Sequence, residues 1–93
     1  MVAKQLGEAE KMALIPGIDF VDEPAGRRAR IVGTGLGVWE IIKAYHEFDN
    51  DRDVLIYGMD WLTPEQIDVA LRYYAAFPDE IDDWVKRDWA IVP

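Results

Sequence analysis

Arg30-Ile-Val-Gly-Thr-Gly-Leu-Gly-Val-Trp-Glu-Ile-Ile42 is a basic strand that turns through three glycines straight into an apolar helix. Downstream, Val38, Ile41, Ile42, Tyr45 and Phe48 fall at i, i+3, i+4 and i+7 spacing, which predicts a helix over 38–48. Upstream, Ile18-Asp-Phe-Val-Asp22 and Ala29-Arg-Ile-Val32 are short β-branched and aromatic runs. The segment Glu-Pro-Ala-Gly-Arg-Arg separates them, so 18–32 reads as a hairpin with a long turn. A two-stranded hairpin alone is marginal in water and has to pack on the helices or pair with another subunit.

Further helices follow from start and stop signals. Asn50 as N-cap, Asp53 at N3 and Gly58 just past the end predict a short helix over 50–57. In Leu62-Thr-Pro-Glu-Gln-Ile-Asp-Val-Ala-Leu-Arg-Tyr-Tyr74, Thr63 is the N-cap, Pro64 stands at N1 and Gln66 at N3 completes a capping box. That helix runs over 63–77 with Ile67, Ala70, Leu71, Tyr74 and Phe77 inward, and with Asp68 and Arg72 as an outward i,i+4 pair. Pro78 stops it. A last helix, about 79–88, carries Ile81, Trp84 and Val85 on one side and acids on the other. Residues 1–17 read as an arm, flexible or docked, with one loose helical turn around Leu6, Ala9, Met12 and Ala13 that Pro16-Gly17 ends. The expected fold is mainly α: an N-terminal β-hairpin followed by a helix-turn-helix-like bundle of three to four short helices, in one domain over 18–93.

Composition narrows the chemistry. A chain of 93 residues makes one small domain that buries roughly 60–65% of its unfolded surface. The absence of cysteine and the single histidine exclude disulfides, thiolate chemistry and a structural zinc of the usual ligand types. No apolar run approaches the roughly 20 residues that cross a bilayer, and Met-Val-Ala-Lys-Gln-Leu-Gly lacks the apolar stretch of a signal peptide. A cytoplasmic protein without a membrane partner is therefore expected. The net charge is −8, and its one basic island is Arg27, Arg28, Arg30 and Lys43. Phosphate is repelled at long range, so any contact with nucleic acid has to come through that island, helped by Gln66 and Arg72, and has to be weak.

Several constellations carry less chemistry than they suggest. Gly33-x-Gly35-x-Gly37 has Val38 where a dinucleotide fingerprint has its third glycine, so the glycines serve a tight turn from strand to helix. Asp49-Asn-Asp-Arg-Asp53 begins like a calcium loop, but Val54 and Asp60 occupy the positions that require Gly and a bidentate Glu. His46 has neither a nucleophile to activate nor a second metal-ligating histidine. No catalytic, metal or cofactor residue is assigned. The C-terminal segment is different: Asp79, Glu80, Asp82 and Asp83 supply charge, while Trp84, Trp89 and Ile91 could supply anchors for a protein partner.

From Arg28 to about Ile81 the chain resembles a family of small prokaryotic proteins, domain of unknown function family 433, often described as VapB-type antitoxins. The family pattern reads roughly R-I-x-G-T-R-I-P-V-W-x-I-I, then L-T-x-E-x-I-x-A-A-L-x-Y-Y. Gly35 and Gly37 stand where that pattern has Arg and Pro. The resemblance implies a helix-turn-helix-like fold and a non-enzymatic, antitoxin-like protein that inhibits a PIN-like ribonuclease toxin by direct contact. The alternative is a small dimeric helix-turn-helix regulator that binds DNA. A homodimer is expected in either case, through the N-terminal strands.

Overall fold

The computed structural model describes residues 6–91, with side chains through Arg87. A first helix, α1 (Glu8–Leu14), precedes the hairpin of β1 (Ile18–Glu23) and β2 (Gly26–Ile31). Then come α2 (Val38–Glu47), α3 (Arg52–Gly58), α4 (Pro64–Ala76) and α5 (Pro78–Ile91). The chain is mainly α with an N-terminal β-hairpin, and α2 lies at its centre, packed on both α4 and α5. Val38, Ile41 and Ile42 of α2 are fully buried there, together with Leu55, Ile67, Ala70 and Tyr73.

The hairpin is tighter than its sequence suggests. Its register pairs Glu23 with Gly26 and Ile18 with Ile31, so the turn is Pro24-Ala25 alone. Pro24 pre-sets the backbone of the first turn residue, and Arg27 and Arg28 join β2 instead of the loop. The register also explains how a marginal hairpin stands. Ile18, Ala29 and Ile31 are buried in the single core, so the apolar face is covered within the chain.

After β2 the backbone folds back on itself. Ile31 N donates to Leu36 O at 2.9 Å, and Gly33 and Gly35 take φ values of 85° and 74°, which a side chain would disfavour. Gly37 matters for a different reason: its φ is −73°, but a Cβ there would collide with the Arg28 guanidinium and the Trp39 ring. Its N–H donates to Glu40 Oε1 at 2.7 Å, which closes the start of α2.

Four local expectations need correction. Asn50 does not cap α3, because Asp49 and Asn50 both adopt φ 58° in the α2–α3 turn, whereas an N-cap needs extended backbone. Asp51, at φ −101°, takes the role, and its carboxylate accepts from Asp53 N and Val54 N. Pro78 begins α5 as well as following α4, since a helix tolerates proline in its first turn. On α4 the inward tyrosine is Tyr73, with Tyr74 half-buried. Asp68 turns away from Arg72 to meet Arg52, with Oδ1 at 2.7 Å from Nε and Oδ2 at 2.9 Å from Nη2. That bidentate pair ties the start of α3 to α4 and holds the Asp68 carboxyl below its ordinary value.

The N-terminal segment is docked where it is described. Ile15 is buried, Glu8 accepts from Arg27 at 2.9 and 3.0 Å, and Lys11 Nζ sits 4.6 Å from the Phe77 ring centroid. The inward side of α1 is thus Lys11, with buried Ile15 just past its end, while Ala9, Met12 and Ala13 are exposed.

Candidate functional site

The basic island is consumed by the fold. Antiparallel register sets Asp19 opposite Arg30 and Asp22 opposite Arg27, so each arginine meets an acid directly across the ladder. Arg30 binds Asp19 through two contacts of 3.0 and 2.9 Å, which lowers the Asp19 carboxyl and raises Arg30. Arg27 bridges Glu8 and Asp22 and is raised by both, with Glu8 the stronger influence. Arg28 is only 8% exposed, with Nη2 at 2.7 Å from Glu23 Oε2 and Nη1 at 2.9 Å from Glu40 Oε1. Lys43 lies on α2 beside Trp39, Glu40 and Glu47, in a shallow hollow of about 260 Å³. Gln66 spends its amide oxygen on Thr63 N at 2.9 Å, while Arg72 is exposed on α4, away from the hairpin arginines in sequence and element. The residues proposed for nucleic acid are therefore not gathered into one free cationic surface.

The C-terminal acids also divide. Glu80 is internal to the packing: its carboxylate accepts from Tyr73 Oη at 2.9 and 2.8 Å and from Lys11 Nζ at 2.8 Å. Asp82 accepts from Tyr74 Oη at 2.8 Å. Asp79 is exposed, and Asp83 lies 3.2 Å from Arg87 Nε, an ion pair by distance although the N–H is not aimed at it. Trp84 is 8% exposed and stacks on Trp39 with ring centroids 6.3 Å apart. The Arg87 guanidinium lies over the Trp84 ring, 4.1 Å from its centroid, and donates to Ala25 O at 2.8 Å, which pins α5 to the hairpin turn. Trp84 is a core residue here, unavailable as a surface anchor. α5 continues through Trp89 and Ile91, whose side chains lie outside the described residues.

No family model, curated protein or solved structure matches the chain. Function has to be read from its own surface. Among the described residues there is no group of three or more His, Asp or Glu side chains poised to hold a metal, and His46 Nδ1 is engaged 2.7 Å from Asn50 Oδ1. Among the described residues, no helix is long and apolar enough to cross a membrane. The feature that sequence periodicity missed is on α3 and the turn after it: Val54, Tyr57 and Trp61 are 42%, 86% and 67% exposed. Their spacing of three and four residues is itself the signal that could have found them. They alternate along the chain with Leu55, Met59 and Leu62, which are buried in the core.

The phenols next to Glu80 and Asp82 give the site a measurable titration. Burial first, then the hydrogen bond to Asp82, pushes Tyr74 up to about 12 from an ordinary 10.0, and burial with Glu80 raises Tyr73 further. Both groups are kept neutral by folding. The unfolded chain loses these protons first, so the associated stability is full below pH 10 and falls as the pH rises toward 12. Urea midpoints measured across that window should fall, and Tyr73→Phe/Tyr74→Phe should flatten the decline.

Proposed function

We propose that the protein is an antitoxin-like binding protein that inhibits a PIN-like ribonuclease by protein–protein contact. The observation that carries this reading is the internal pairing of Arg27, Arg28 and Arg30 with Glu8, Asp19, Asp22, Glu23 and Glu40 in a chain of net charge −8. With those arginines neutralised, the field at the surface is acidic. Such a surface suits a partner whose own groove is built for polyanionic RNA, because an acidic protein can steer into that groove and fill it. The resemblance over Arg28 to Ile81 supplies the class of partner.

The DNA-regulator reading draws less support from the same geometry. The N-terminal end of α4 offers Glu65, a Gln66 already engaged in its own cap, and an Asp68 bound to Arg52. Carboxylates facing phosphates oppose binding. Co-purification and inhibition with a PIN-like ribonuclease encoded beside this chain tests the proposal. Stoichiometric loss of RNA cleavage is expected, together with weak, salt-sensitive binding to duplex DNA. Unimpaired cleavage in the presence of excess protein, or tight DNA binding near physiological salt that Arg72→Ala abolishes, would overturn it.

A further inference from the structure

We infer that exposed Val54, Tyr57 and Trp61 together make the docking surface for a cationic, amphipathic segment of a partner protein, an inference that rests on the protein-binding reading above. Isolated exposed apolar side chains are ordinary, but here three stand exposed within eight residues, two on α3 and one in the turn that follows it, and two of them are large aromatics. Tyr and Trp are the residues most enriched among binding hot spots. The platform beneath them is fixed before any partner arrives. Asp51 caps α3, and Leu55, Met59 and Leu62 anchor its inner side in the core. Gly58 lies against Phe48, where an added Cβ would approach the ring to 2.9 Å. A rigid scaffold of this kind reduces the ordering cost of association.

The rim selects the occupant. Asp53, whose side chain is 92% exposed, and exposed Asp60 and Glu65 neighbour these residues along the chain, while Arg52 is bound to Asp68. Apolar anchors flanked by Lys or Arg complement that pattern. A second copy of this chain, docked by a twofold axis on the same face, would bring Asp53, Asp60 and Glu65 against their like. Single-stranded nucleic acid could stack on the rings, but the rim would repel its phosphates.

The probe is a short synthetic amphipathic peptide with leucines at helical spacing and lysines on its flanks, beside a counterpart with glutamates in place of the lysines. Titration into the intact protein should give binding by the lysine peptide alone, weakened about tenfold or more by Tyr57→Ala or Trp61→Ala. Leu14→Ala, at an exposed apolar position on α1, should leave it unchanged. Circular dichroism should match wild type for all three variants, since each side chain is exposed. Equal affinity of wild type and Trp61→Ala for the lysine peptide would overturn the site. So would self-association, or binding of a single-stranded RNA oligonucleotide, that Trp61→Ala removes. Absence of any peptide binding would overturn the docking inference, whereas the ribonuclease inhibition assay judges the protein-binding reading separately.

Discussion

Glu80→Ala should lower the free energy of unfolding by about 3 kcal/mol, while Asp79→Ala and Asp83→Ala, close neighbours on α5, should stay within about 0.5 kcal/mol. The difference lies in what each carboxylate leaves behind. Tyr73 is completely buried, and among the described residues its hydroxyl has only Glu80 as acceptor, with both oxygens within 2.9 Å. The Lys11 side chain is 12% exposed and its ammonium is paired with the same carboxylate. Removing Glu80 thus strands a buried hydroxyl and a nearly buried cation, and it loosens α1 from α4 and α5 together. Asp79 is exposed, and the Asp83–Arg87 pair is solvated enough that screening leaves it little value. Urea denaturation of the three variants checks the ordering. An effect of Glu80→Ala as small as that of Asp79→Ala would mean that the Tyr73–Glu80–Lys11 network is not formed in solution, and would return Glu80 to the exposed acids.

That network also marks a boundary in what the residues could say by themselves. The start of α4 was legible because Thr63, Pro64 and Gln66 act within one turn, and the cap is made as expected, with Gln66 N donating to Thr63 Oγ1 at 3.1 Å. Tyr73 and Tyr74 are adjacent at the border of the apolar face, so periodicity could not rank them. Each bonds a carboxylate on α5, Tyr73 to Glu80 and Tyr74 to Asp82, and it is tertiary packing that buries the first and leaves the second half-buried. The same limit separated Asn50 from Asp51: both are good N-cap residues, and the choice depends on the left-handed turn that brings α3 against α2.

The hairpin arginines were misjudged for another reason. A run of Arg27, Arg28 and Arg30 looks cationic along the sequence, but charge on a strand is decided across the ladder. With a two-residue turn at Pro24-Ala25, Asp22 and Asp19 fall directly opposite Arg27 and Arg30. Reading the turn as long hid that register. The exposed Val54, Tyr57 and Trp61 were not legible from the capping signals that predict α3, because these give its ends and not its faces, and which apolar residues turn inward depends on how Leu55, Met59 and Leu62 meet the core.

Arg28→Ala should cost about 3 kcal/mol, and this variant separates a structural arginine from a nucleic-acid contact. Its guanidinium lies between Glu23 at 2.7 Å and Glu40 at 2.9 Å, joining the hairpin to the first turn of α2. Truncation would leave two carboxylates, each about one-third exposed, facing a vacated site without their cation. Arg28→Lys should recover only part of the loss, because one ammonium cannot present the planar fork that reaches both acids. Gly37→Ala should also destabilise, since its Cβ would enter the space the guanidinium occupies. If the two residues act through that shared space, the double variant Arg28→Ala/Gly37→Ala loses less stability than the sum of the single changes. A phosphate-contacting Arg28 predicts the opposite pattern: unchanged urea midpoints, additive behaviour with Gly37→Ala, and a shallower salt dependence of DNA binding. Stability and salt dependence measured on the same three variants therefore decide whether Arg28 holds the fold together or faces a polyanion.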